Sequence, residues 1–229
     1  MTVITINGQI GSAGPEIGAE VARRLRFDYI DRLILAEAAK RIGATVEALA
    51  AKERRTLNLS ERIANFMQTV MEHSTAPGMV GDPYLGGFSV LLGQEYEEAV
   101  KEPISRADQL RDKQFIQVTT AVIRDLAEAG NAVIIGRAGN LILRDRPDIF
   151  HVGLVSTLES RIKVIAEREG VSLEEAQKSA VESEKARQIY FRKYFNVMAD
   201  APAHFHMMLN THLLAKDDAA CIIVQAVSS

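Results

Sequence analysis

The chain has no tryptophan, and its single cysteine, Cys221, has no partner within 229 residues with which to form an internal disulfide. That excludes a disulfide-built scaffold. The apolar run Cys221-Ile222-Ile223-Val224 reads as a strand in which the thiol is a small buried hydrophobe, not a nucleophile. No stretch approaches the roughly 18 consecutive apolar residues of a membrane helix, and the N-terminus reads as a strand, not a basic region followed by an apolar one. A cytoplasmic location and no membrane partner are therefore expected. Charge of one sign is also missing: 27 Lys and Arg against 30 Asp and Glu leave a net −3. Without a global field to attract nucleic acid, any anion site has to be built locally. His204 and His206 stand two apart with no cysteine or carboxylate at ligand spacing, so no metal site is expected there.

What is present is ordinary globular composition, 47% hydrophobic and 25% charged, enough for one substantial core. Strand and helix patterns alternate. The β-branched run Val3-Ile4-Thr5-Ile6 stops at Asn7-Gly8, and a helical spacing of Ile17, Val21 and Leu25 follows from Pro15. Phe27 to Ile30 reads as a second strand, ending at Asp31-Arg32. Val118, Val122, Ile123 and Leu126 mark a helix that stops at Gly130, before the buried strand Ala132-Val133-Ile134-Ile135. Ile149 to Val155 is a further strand, Leu158 to Glu169 a polar helix, and Ser172 with Glu175 a capping box opening another helix. Ala220 to Val227 is expected to be a closing strand. The alternation predicts an α/β fold, a parallel sheet covered by helices on both faces, with a largely helical insertion.

The domain reading is one unit over 1–229, with an inserted acceptor-site or lid-like subdomain at about 52–112 and a lid helix at about 172–196. The Met- and Phe-bearing stretch from Asn58 to Gly87 carries more apolar residues than a small insert would bury alone, so a homodimer is expected.

The segment Gly8-Gln9-Ile10-Gly11-Ser12-Ala13-Gly14-Pro15 lies between the first strand and the first helix, where a phosphate-binding loop would lie. Against G-x-x-x-x-G-K-[ST], Gly14 stands at the lysine position and Pro15 at the hydroxyl position. A glycine-rich turn with no ligand is the plainer alternative. A dinucleotide site would explain Asp31 as a ribose-binding acid, but Gly8, Gly11 and Gly14 are three apart and lack the closely spaced glycine pair of that fingerprint.

Across several segments the chain resembles the cytidylate-kinase-like family of P-loop nucleoside monophosphate kinases. The resemblance is carried by ITINGQIGSAGPEIG, FDYIDRLILAEAA, AVIIGRAGNLIL, RPDIFHVGL, ESEKARQIYFRKYFN and LNTHLL, in that order along the chain. It implies phosphoryl transfer from ATP, with Mg2+, to cytidylate or another phosphorylated small molecule. Gly8, Gly11, Ser12, Ala13 and Gly14 would cradle the donor phosphates. Arg137, Arg187 and Arg192 would bear on the transferred charge, with Arg187 matching the family's Asp/Glu-x-x-Arg through Glu184. Asp31, Arg32 and Asp148 would bind the acceptor. Gly14, Pro15 and Ala138 stand where working kinases carry a lysine, a hydroxyl and an acid, so a nucleotide-binding or interaction protein without turnover is the alternative.

Overall fold

The computed structural model describes residues 2–31 and 106–228, with side chains from 116 onward in the second stretch. Arg32, the expected helices at Leu33–Ile42 and Val46–Ala51, nearly all of the 52–112 insertion and the Asn58–Gly87 stretch lie outside the described residues. Five strands, β1 (Val3–Gly8), β2 (Asp28–Ile30), β3 (Ala132–Ile135), β4 (Ile149–Val155) and β5 (Met207–Asn210), form one parallel sheet in the order β2-β3-β1-β4-β5. Parallel neighbours need crossovers, which the helices supply. They are α1 (Gly14–Leu25), α2 (Arg106–Ala129), the short α3 (Gly139–Ile142), α4 (Leu158–Glu169), α5 (Leu173–Phe195) and α6 (Lys216–Ser228).

The central strand sets the rest. β1 pairs β3 from Val3↔Ala132 to Ile6↔Ile135, and β4 from Val3↔Ile149 to Gly8↔Leu154. One face buries Ile4, Ile6, Val133, Val152 and Leu154 with Ile17 and Val21 of α1 and Ile223 of α6. The other buries Val3, Ile134 and Ile149 with Val122, Ile123 and Leu126 of α2. Full burial of each such side chain contributes about 1.5–3 kcal/mol, so these layers, not any single ion pair, hold the sheet. A third cluster joins α4 and α5 to the loop after β1 through Ile10, Ile165, Ala180, Tyr190 and Phe191.

The capping box at Ser172 is present: its hydroxyl accepts from the Glu175 amide at 3.2 Å, and the Glu175 carboxylate accepts from the Ser172 amide at 2.9 Å. The expected closing strand at Ala220 to Val227 is not: that segment belongs to α6. A continuous apolar run does not by itself separate a buried strand from a buried helix. Here Ala219, Ala220 and Ile223 share one helical face, and Asp217 and Asp218 suit the dipole of a first turn. The last strand is the four-residue Met207–Asn210, and Cys221 is a half-buried residue of α6.

The seam between β4 and β5 carries a histidine pair. His151 Nδ1 lies 2.8 Å from Thr5 Oγ1, the His151 amide donates to His206 Nδ1 at 3.0 Å, and the His206 amide donates to the His151 carbonyl at 2.8 Å. Burial, and the neighbouring His206, push the His151 pKa down to about 4. In the unfolded chain this group takes a proton near pH 6.5. Between those values unfolding takes up a proton, so stability falls as pH drops through the window. We predict that urea midpoints followed from pH 7 to pH 4 fall less steeply for His151→Asn than for the wild type; parallel curves would contradict this account.

Candidate active site

The loop leaving β1 is shaped by close backbone approaches. The Gln9 amide donates to the Leu154 carbonyl at 3.2 Å, and the Ser12 amide to the Gln9 carbonyl at 3.0 Å. That turn needs Gly11 at φ +86, and a Cβ there would lie 2.7 Å from the Arg161 carbonyl oxygen and 2.9 Å from its Cβ. The backbone of α4 therefore sits directly on the loop. At Gly8 a Cβ would fall 2.6 Å from Ser12 Oγ and 2.9 Å from Leu154. Ala13 then adopts the left-handed conformation, φ 58 and ψ 27, as the N-cap of α1, and Pro15 fits the first turn, where no intrahelical N–H is lost.

This geometry decides which amides can meet an anion. The Ser12 amide is used within the turn, whereas those of Gly11, Ala13 and Gly14 have no hydrogen-bond partner among the described residues. They stand at the positive end of the α1 dipole. Ser12 Oγ is buried and has no hydrogen-bond partner among the described residues. The loop lines a cleft shared with Gly136, Arg168, Arg187 and Phe191.

The Arg187 side chain is 3% exposed and is held by two carboxylates. Its Nη2 donates to both Asp200 carboxylate oxygens at 2.6 Å and to Glu184 Oε1 at 2.9 Å, and its Nε donates to Glu184 Oε2 at 3.1 Å. Burial works against the charge, but the hydrogen bonds and charges of Glu184 and Asp200 outweigh it and hold the pKa above its ordinary value. Arg161 joins the same network, 3.5 Å from Glu184 Oε2 and 3.4 Å from the Ile10 carbonyl; burial lowers its pKa against the pull of Glu184. Gln9 ties the network to the loop: its amide nitrogen donates to Asp200 Oδ2 at 3.4 Å, and its side-chain oxygen accepts from the Ser156 amide at 3.0 Å.

The expected site residues separate on the structure. The glycine loop and Arg187 come together at the cleft. Asp31 follows β2 at the same, carboxyl-terminal edge of the sheet. Arg137, 3% exposed, follows Gly136 in a run of left-handed residues, Gly136, Arg137 and Ala138, at φ 77, 53 and 55. Ala138 is fully buried in the apolar cluster with Ile10 and Phe191. Arg192 is exposed and does not line the cleft. Asp148 is not brought to the cleft: it precedes β4, at the amino-terminal edge, and is paired with Arg146 at 2.9 Å. The Arg146 guanidinium holds its carboxyl below the ordinary range. Gln9, Arg161, Arg168 and Asp200 escaped the sequence reading. The seven-residue spacing of Arg161 and Arg168, two turns along one face of a helix, was the available signal for that pair.

Sheet order, loop and helix start define a P-loop kinase-type α/β protein. Residues 3–213 match the cytidylate kinase-like family, and the chain belongs to it. Among curated relatives, the cytidylate kinase of Ignicoccus hospitalis is 30% identical over 108 residues, 47% of this chain and 62% of that one. That of Aeropyrum pernix is 27% identical over 101 residues, 44% and 58% of the two chains. The matches thus span about three fifths of those relatives' lengths. Among solved structures, an uncharacterized protein from Eubacterium ventriosum superposes with a TM-score of 0.65 at 16% identity, covering 100% of this chain and 99% of that one. Shikimate kinase from Bacteroides thetaiotaomicron does so with a TM-score of 0.50 at 12% identity, with the same coverage of each chain. At such identities the likeness concerns the fold.

Truncating Arg187 would leave the Asp200 and Glu184 carboxylates without their main counter-charge. Arg187→Ala is expected to cost about 3–5 kcal/mol in urea unfolding at pH 7. A loss below about 1 kcal/mol, the scale of an exposed pair, would show that the network is not structural.

Proposed function

We propose that the protein is a nucleoside-monophosphate-kinase-like phosphotransferase, moving the terminal phosphate of ATP to cytidylate or a related monophosphate. The observation that carries this reading is the glycine loop, whose Gly11, Ala13 and Gly14 amides have no carbonyl partner among the described residues where the loop runs into the start of α1. Backbone donors fixed before the ligand arrives need no reorganisation when charge develops on a transferred phosphoryl group. Gly8 and Gly11 are required by close approach, and Ser12 offers a buried hydroxyl beside them. That hydroxyl fits Mg2+, which takes few protein ligands and keeps waters and phosphate oxygens; Ser12 Oγ would hold the ion, whose chemistry is to neutralise phosphate charge.

On this reading Arg137 and Arg187 bear on phosphate charge from the carboxyl-terminal edge, and Arg192 reaches it only if α5 moves as a lid. The acceptor is assigned to Asp31 with Arg32, and the location of Asp148 argues against a part for it. The subdomain at about 52–112 as an acceptor-site insert, a homodimer and a cytoplasmic location are finer parts of the same proposal.

The engagement of Arg187 by two carboxylates, with Gly14 and Pro15 in the loop, favours a second reading: a protein that binds nucleotide without turnover. A coupled assay with ATP, Mg2+ and a panel of nucleoside monophosphates separates the two. We expect turnover with a cytidine monophosphate that drops at least about 100-fold in Gly11→Val, where the added side chain must push α4 off the loop. Calorimetric ATP binding with no turnover for any acceptor would select the second reading. Absence of both binding and turnover would remove the first and second together.

A further inference from the structure

Two guanidiniums, Arg161 and Arg187, and two carboxylates, Glu184 and Asp200, meet where α4 and α5 approach the loop. Their charges cancel, so this network offers an incoming phosphate a net positive field only when one carboxylate leaves. The geometry shows which one stands in the way. Glu184 takes one edge of the Arg187 fork, accepting from Nε at 3.1 Å and from Nη2 at 2.9 Å. The Nη1–Nη2 edge is then the one on which a phosphate could rest two oxygens. Asp200 covers it, with both oxygens 2.6 Å from Nη2. Its Oδ2 also accepts from Gln9 Nε2 at 3.4 Å, so one carboxylate spans α5 and the second residue of the glycine loop. Gln9 and Arg187 both line the cleft. An anion held by a guanidinium and a loop donor already makes the contacts a phosphate there would make, and two anions on one edge repel.

The two carboxylates differ in what ties them to Arg187. Glu184 belongs to the same helix, three residues earlier, and also reaches Arg161. Asp200 comes from beyond the end of α5, in the turn where the Ala201 amide donates to the Met198 carbonyl at 3.2 Å, and its side chain is 24% exposed. It has water to return to, and its departure leaves Arg187 paired with Glu184. We infer that Asp200 is an internal competitor for the nucleotide phosphate, holding the Nη1–Nη2 edge of Arg187 until a phosphate group takes its place. This rests on the reading that the loop binds nucleotide phosphates, and goes further in naming the acid that sets how tightly they bind. Stability and affinity then oppose each other, because the contact that fastens α5 to the loop is the one the ligand must break.

The test is calorimetric binding of ATP to the full chain, with urea unfolding without ligand, for the wild type, Asp200→Asn, Arg187→Gln and Asp200→Asn/Arg187→Gln. Asparagine keeps the shape and an oxygen for Gln9 but removes the charge. A charged contact of this kind corresponds to about 10- to 100-fold in an equilibrium constant. Asp200→Asn should bind ATP more tightly than the wild type by that factor while unfolding at lower urea. A residue that only fastens the fold would lose both. The gain should vanish in the Arg187→Gln background, where general repulsion between the carboxylate and a phosphate would survive. ATP binding by folded Asp200→Asn equal to or weaker than the wild type, or the same gain without Arg187, overturns the inference and leaves the loop reading intact. ATP binding by neither the wild type nor Asp200→Asn overturns both. If a variant does not fold, a crystal complex of the wild type with a non-hydrolysable ATP analogue decides. The inference requires a phosphate oxygen within about 3.2 Å of Arg187 Nη1 or Nη2 and Asp200 released from Nη2; Asp200 still bonded to Nη2 overturns it.

Discussion

The guanidinium of Arg187, held between Glu184 and Asp200, is the contact on which the relation between the glycine loop and the α4–α5 pair depends. From it the structure runs as a chain: Asp200 also accepts from Gln9 within the loop, Gln9 accepts from Ser156 at the end of β4, and Glu184 reaches Arg161, whose backbone packs on Gly11. A charge this deeply buried is tolerated only where carboxylates and hydrogen bonds replace its lost water. Removing any one member leaves the others exposed to that cost. The hydrophobic layers hold the sheet together; the ionic chain sets where α5 stands relative to the loop.

The same contact shapes the electrostatics of the cleft. Phosphoryl transfer is catalysed mostly by positioning and by charge placed where the transition state needs it. On the proposed reading the loop would position phosphate through the amides of Gly11, Ala13 and Gly14; Pro15 breaks no intrahelical bond in the first turn but gives up one of the helix-start N–H donors. Charge has to come from elsewhere, and cations already matched to carboxylates can serve a phosphate only by exchanging partners. A nucleotide that enters this cleft therefore competes with Asp200 for Arg187 or relies on another cation.

Much of the fold was legible in the sequence because its signals are local. The β-branched run Val3 to Ile6, the continuous apolar stretch Ala132 to Ile135 and the Ser172–Glu175 box each specify structure within a few residues, and each is found where the pattern placed it. The last helix was misread because six apolar or small residues from Ala219 to Val224 suit a buried strand as well as a buried helix, and only packing against α1 decides. In the site, the loop glycines were legible from spacing. Arg187 was legible from Glu184 three residues earlier, but its Asp200 partner lies thirteen residues on, beyond the end of α5. Asp148 illustrates a different lesson: in a parallel sheet a residue just before a strand stands at the edge opposite the phosphate loop, so chain direction alone separates it from the cleft.

The central claim is that the loop amides, not a loop lysine, hold the donor phosphates. It is tested most directly by a crystal structure of the protein with ADP. The account predicts a terminal phosphate with oxygens about 2.7–3.2 Å from the amides of Gly11, Ala13 and Gly14, while the Ser12 amide keeps its bond to the Gln9 carbonyl. ADP seated with its phosphates away from the start of α1, or amides of Gly11 and Ala13 turned to protein carbonyls in its presence, would contradict it.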